Sequence, residues 1–107
     1  MNPPVILSPK AEQQLEDAIA WWSKNRSSLQ AERWYAGFVR SFKSLAQSPD
    51  RYQHAAENAE FPFEVRELRY GLGKRPTHRA LFTIRPDMVY VLLIRHLAQR
   101  DVSLDDL

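Results

Sequence analysis

Arginine and histidine side chains on strand-like segments are the residues here whose types could do chemistry. Arg66, Arg79, Arg95 and Arg100 lie in or just after strand-like runs, with His96 at the end of the last run. A guanidinium is a planar, permanently charged fork that grips a phosphate through two hydrogen bonds. His96 is the member of the group that can exchange a proton near neutrality. RNA cleavage needs a base for the 2′-hydroxyl, cations for the developing charge and an acid for the leaving oxygen. His96 can fill a proton-transfer role, and Arg79 and Arg100 can supply the charge. These residues belong to the stretch 64–101, which carries eight Arg and Lys against four Asp and Glu. Its surplus of four positives exceeds the +2 of the whole chain, so a basic sheet is expected beside more acidic helices. Such a surface suits a polyanion or an acidic protein segment.

Three runs in this stretch read as strands: 64–70, 77–85 and 88–96. A four-residue connection, Ile84 to Asp87, suits a hairpin between the last two. Alternation along the middle run sets Ala80, Phe82 and Ile84 on one face and Arg79, Leu81 and Thr83 on the other. If Phe82 turns toward helices, Arg79 must project from the opposite, open side, where Arg66, Arg95, His96 and Arg100 can join it. An exposed strand arginine tolerates replacement by Ala within ~0.5 kcal/mol. Lys74 and Arg75, in GLGKRP, form a solvated connection that can add contacts to a target. Gly71-x-Gly73 is followed by no helix and is not a phosphate-binding fingerprint.

The elements that must hold this sheet come earlier. Val5-Ile6-Leu7 reads as a short first strand. Ser8-Pro9 supplies a helix N-cap and a proline at the first helical position. Ala11, Leu15, Ala18, Ile19 and Trp22 then recur at helical spacing to about Lys24. Ser27 or Ser28 caps a second helix with Ala31, Trp34, Phe38, Phe42 and Leu45 on one face, stopping at Ser48-Pro49. Two amphipathic helices joined by four residues form an antiparallel hairpin that must lie on a sheet. Trp21 falls off the apolar stripe and is placed at an interface. Residues 50–62 show no period and read as a loop. The expected architecture is α+β, in the order β-α-α-β-β-β, with an antiparallel sheet and the helices on one face.

The 107 residues make a single domain, 1–107, of ordinary globular composition. There is no cysteine, which fits a cytoplasmic setting. The three histidines lack metal-ligand spacing, so no metal is expected. The longest apolar run, 88–94, is too short to span a membrane, and MNPPVILSPK has no signal-peptide character.

Four strings in order, SPKAEQQLEDAIAWW, VREL, HRALFTI and VYVLLIRHLAQRD, resemble the RelE/ParE superfamily of toxins from type II toxin–antitoxin (plasmid stabilization) modules. The similarity runs from about Val5 to Asp101. It implies a helical hairpin against a sheet, and a cytoplasmic toxin bound by a ParD- or RelB-like antitoxin whose complex represses its own operon. Operator DNA would then be touched only through that complex. RelE-like members cut mRNA on the ribosome without metal or cofactor; ParE-like members inhibit DNA gyrase. Arg79 resembles the strand arginine that RelE-like members place at the scissile phosphate, Arg100 their arginine after the last strand, and His96 a late histidine of ribosome-dependent relatives. The paired lysines of the first RelE strand are replaced by Arg66 and Arg69, and the C-terminal catalytic tyrosine has no counterpart in DVSLDDL. VREL and RHLAQRD lean toward the ParE-like branch. The expected function is therefore gyrase-directed growth inhibition, with mRNA cleavage by Arg79, Arg100 and His96 as one alternative and a non-toxic partner-binding member as another. Arg66, Arg69, Lys74, Arg75 and Arg95 are the expected target contacts; Trp21, Arg79 and Arg95 are the expected antitoxin contacts.

Overall fold

The computed structural model describes residues 3–99 and 102–107. A three-residue strand, β1 (Val5–Leu7), leads into helix α1 (Pro9–Asn25), which is followed by α2 (Ser28–Gln47). The N-caps form as the serines dictate. Ser8 Oγ accepts from the Ala11 amide at 3.0 Å, with Pro9 in the first turn. Ser27 Oγ accepts from the Gln30 amide at 3.1 Å. Pro49, which opens a single 3-10 turn (Pro49–Arg51), closes off α2. A second 3-10 turn (Asn58–Glu60) breaks the connection to β2 (Arg66–Tyr70), β3 (His78–Ile84) and β4 (Val89–His96). The β3–β4 hairpin turns through Arg85 to Met88, closed by the Arg85 amide on the Met88 carbonyl at 2.8 Å.

The four strands make one sheet in the order β1-β4-β3-β2. β2–β3 and β3–β4 are antiparallel, but β1 runs parallel to β4, so the sheet is mixed rather than wholly antiparallel. The helical hairpin carries the chain away after β1, and this allows the parallel return. β4 lies inside the sheet, as its two apolar faces require. The β3–β4 register shifts between Leu81, opposite Leu93, and Phe82, opposite Val91. The extra residue, Leu92, joins Leu93 on one face, while Val91 and Ile94 serve the other.

Each sheet face has its own core. On the helix side Trp34, Phe38, Phe42 and Leu45 of α2 pack with Leu68, Ala80, Phe82, Val89, Val91 and Ile94. The far side was expected to be open, and it is not. Ala55, Phe61 and Val65 from the irregular connection, with Val102 after β4, cover Leu81, Leu92 and Leu93. Apolar residues on both faces of β3 and β4 demand two covers. The second cover comes from residues too irregularly spaced to show a period. Ile84, expected beneath the helices, is exposed at the end of β3.

One close approach fixes α2 on the sheet. The Tyr70 ring packs against Phe38 and Trp34, with its hydroxyl against Gly37. A methyl group at Gly37 would stand 1.9 Å from that oxygen and 2.8 Å from Cζ. Gly37→Ala adds helix propensity of up to ~1 kcal/mol but forces the tyrosine out of its site, at ~1–3 kcal/mol. The expected net result is a lower urea midpoint than wild type. An unchanged or higher midpoint would mean that the Tyr70 ring swings aside freely.

Candidate functional site

Register gathers three of the arginines. Arg69 stands opposite Arg79, and Arg79 opposite Arg95, so a row of guanidinium-bearing residues crosses three strands on the face away from the helices. Like charges directly opposed across strands repel, so such a row needs counter-ions. Glu57 and Glu67 provide them for Arg79. Arg79 Nη1 donates to Glu57 Oε1 at 2.9 Å and to Glu67 Oε1 at 3.0 Å, and Nη2 donates to Glu57 Oε2. Glu57 Oε2 also accepts from the Val102 amide at 2.9 Å. Arg79 is 7% exposed and Glu57 3%. The neighbouring carboxylates hold the guanidinium protonated, and Arg79 with the Val102 amide lowers the Glu57 carboxyl from 4.5 to about 2 against the opposing effect of burial. Arg79 is therefore a structural cation under a cover of chain. It presents no free fork to a phosphate.

The other predicted residues divide sharply. Arg95, with its side chain almost covered, pairs with Asp106 at 3.4 Å. Arg69 is exposed at the end of the row and bonds Glu67 at 2.9 Å. Arg66 shares the face of Leu68 and Tyr70, opposite Arg79, so the expected convergence of Arg66 with Arg79 does not occur. It is half-buried and ties the chain before β2 together, bonding Glu64 and the carbonyls of Asp50 and Tyr52. Lys74 and Arg75 are exposed in the β2–β3 connection. Arg100 lies outside the described residues.

His96 is exposed on the helix side, in register with His78. It thus faces away from Arg79, and the two cannot reach one phosphate together. The imidazoles sit 5.1 Å apart, and His78 also packs on Trp34 at 4.9 Å. His96 Nδ1 accepts from the Ala98 amide at 3.0 Å, which leaves Nε2 to carry the proton of the neutral ring. Burial, and secondarily His96, push His78 from 6.5 down to about 4. Both histidines line a cleft of about 410 Å³ between α1 and the end of β4, with Gln14, Asp17, Ala18 and Trp21 on the helix wall. Trp21 is 48% exposed, as its place off the apolar stripe predicts.

Residues 5–100 match the family model described as the ParE toxin of the type II toxin–antitoxin system parDE. The chain belongs to the ParE toxin family. A solved structure described as the chromosomal ParDE TA system from P. aeruginosa shares the fold, with a TM-score of 0.69 at 19% identity over 88% of this chain and 95% of that one. No curated protein matches this chain in sequence. Among the described residues, no helix of this ParE-family chain is long and apolar enough to cross a membrane. Sequence reasoning missed Glu57, which lies in the stretch read as loop. The available signal was Arg79 itself, because an arginine between Leu81 and a buried strand must be matched by carboxylate.

Two consequences are measurable. Arg79→Ala leaves Glu57 buried without its cation and should cost about 3–5 kcal/mol, far from the ~0.5 kcal/mol of an exposed arginine. Equilibrium urea unfolding reads the difference. The acid limb of stability should fall in two stages. His78, neutral in the fold, contributes above pH 6.5 and loses this as pH drops toward 4; Glu57, charged in the fold, contributes above 4.5 and loses it toward 2. Each stage is worth up to about 3 kcal/mol. His78→Phe should flatten the upper stage alone and Glu57→Gln the lower alone; a wild-type curve flat from pH 7 to 4 would refute the first assignment.

Proposed function

We propose that this ParE-family chain arrests growth by binding a macromolecular machine, DNA gyrase, and that a cognate ParD-type antitoxin neutralises it. The observation that carries this reading is the separation of Arg79 from His96. One is clamped by Glu57 and Glu67 under the far cover, the other is exposed on the helix side. An RNA-cleaving site would need both on one phosphate. Of the expected target contacts, Arg69, Lys74 and Arg75 are exposed along β2 and its connection to β3, where they can steer association with an anionic surface.

The antitoxin reading rests on the helical hairpin. A groove of about 540 Å³ runs between α1 and α2, lined by Leu15, Ile19, Tyr35, Val39 and Phe42. It suits the apolar face of an amphipathic segment that folds as it binds. Trp21, exposed further along α1, extends the surface. The solved relative is described as a ParDE toxin–antitoxin system, which supports a partner of this kind. Arg79 and Arg95, being covered and paired, drop out of the contact set and act through the fold.

Purified chain should inhibit supercoiling by gyrase, and the antitoxin encoded beside it should restore activity. Arg69→Glu with Lys74→Glu and Arg75→Glu should weaken inhibition at least several-fold while the melting temperature stays unchanged. Primer extension on mRNA from arrested cells should show no new cuts within codons. Cuts that require His96, with gyrase unaffected, would replace this reading by ribosome-dependent cleavage.

A further inference from the structure

β1 is shorter than the strand it pairs with. It covers Val89 to Val91 only, whereas β4 runs on to His96. Beyond Leu7 the chain leaves the sheet for α1, and the β1-side edge of β4 is closed by side chains instead of a strand. Ser8 Oγ donates to the Leu92 carbonyl at 2.8 Å. Gln14 Oε1 accepts from the Ile94 amide at 2.8 Å, and Gln99 Oε1 from the His96 amide at 2.9 Å. These three bonds stand where a neighbouring strand would make backbone ones. By the alternation of the ladder the Ile94 carbonyl points to the same side as its amide, past Val91, where the pairing with β1 ends. Leu92 to His96 is four residue steps, roughly 13 Å of edge at about 3.3 Å per residue.

The cleft of about 410 Å³ lies along this edge, between it and α1. The small side chain of Ala18 faces it, so α1 does not fill the place of the missing strand. Among the described residues lining it, Asp17 is the one carboxylate, and burial keeps the His78 ring neutral. Asp17 and Trp21 are four residues apart on one helix face. The Trp21 ring already has the Arg26 guanidinium 5.8 Å from its centroid, so it accepts a cation in this fold.

We propose that this cleft is a strand-receiving slot: an extended segment of a partner protein pairs with β4 over Leu92–His96, in line with β1, and sets a basic side chain against Asp17 and Trp21. Main-chain bonding to Ile94 supplies the affinity, and the acidic wall supplies the choice of side chain. The slot shares no lining residue with the α1–α2 groove, although Trp21 borders both surfaces, and it does not depend on which machine the toxin inhibits.

The probe is the peptide Ac-Thr-Val-Arg-Val-Thr-NH2, titrated into the full chain and followed by amide chemical shifts. Saturable shifts are expected at Ile94 and His96, with the Arg→Glu peptide binding several-fold more weakly. N-methylation of residues 2 and 4, or of residues 1, 3 and 5, should abolish binding in one pattern and spare it in the other, because only one edge of a strand faces β4. Gln14→Ala, which uncovers the Ile94 amide, should tighten binding, whereas Asp17→Asn should erase the preference for Arg over Glu. Absence of saturable shifts, equal binding of the two N-methyl patterns, or a Gln14→Ala variant that binds no better would overturn the proposal. Stronger shifts at the same residues with adenosine monophosphate would do so as well, by marking the cleft as a nucleotide site.

Discussion

The buried contact between Arg79 and Glu57 is the constraint on which the far side of this molecule depends. It joins three pieces of chain that share no regular structure: β3 through the guanidinium, the irregular connection through the carboxylate, and the segment after β4 through the Val102 amide. Ion pairs withdrawn from water bring little net stability, because desolvation consumes much of their attraction. What this one supplies is place. With Glu57 held over β3, Ala55, Phe61, Val65 and Val102 can close over Leu81, Leu92 and Leu93. The polar contact sets the position, and apolar burial provides the driving force.

The same contact changes what the arginine row can do. Arg69, Arg79 and Arg95 stand in register as a phosphate-gripping row would, yet their carboxylate partners turn most of the row inward. Only its outer end, Arg69, continues into the exposed cations of the β2–β3 connection. The histidines lie across the sheet, His78 packed between Trp34 and His96, and both line the cleft against α1. The sheet therefore sets the arginine row and the two histidines on opposite faces. That arrangement suits recognition by two surfaces better than proton transfer at one phosphate.

α1 serves both surfaces. Its apolar stripe packs on β4 and flanks the groove against α2, while Asp17 and Trp21 look across the cleft at the uncovered part of β4. A sheet edge left without a strand is a hazard unless capped, and here Ser8, Gln14 and Gln99 cap it. Side-chain caps can be withdrawn at lower cost than a strand.

Local signals determined the elements. Ser8-Pro9, Ser27 and Pro49 mark helix ends through hydrogen bonds and dihedral limits that act within one turn, and the helices follow those marks. Alternation in HRALFTI placed Ala80 and Phe82 against the helices and Arg79 away from them, as the structure has it. Register is a different matter, because it depends on which residues meet across strands. Only the tertiary structure set Arg69 beside Arg79 and Arg95, moved Arg66 to the other face and put His96 behind the sheet. It also brought Glu57 to Arg79 from 22 positions away, out of a stretch with no period. The parallel pairing of β1 was decided there too, since three residues carry no signal for direction. Whether an arginine is open to a target or sealed by a carboxylate is settled by contacts between distant segments, and the pattern along a strand contains none of them.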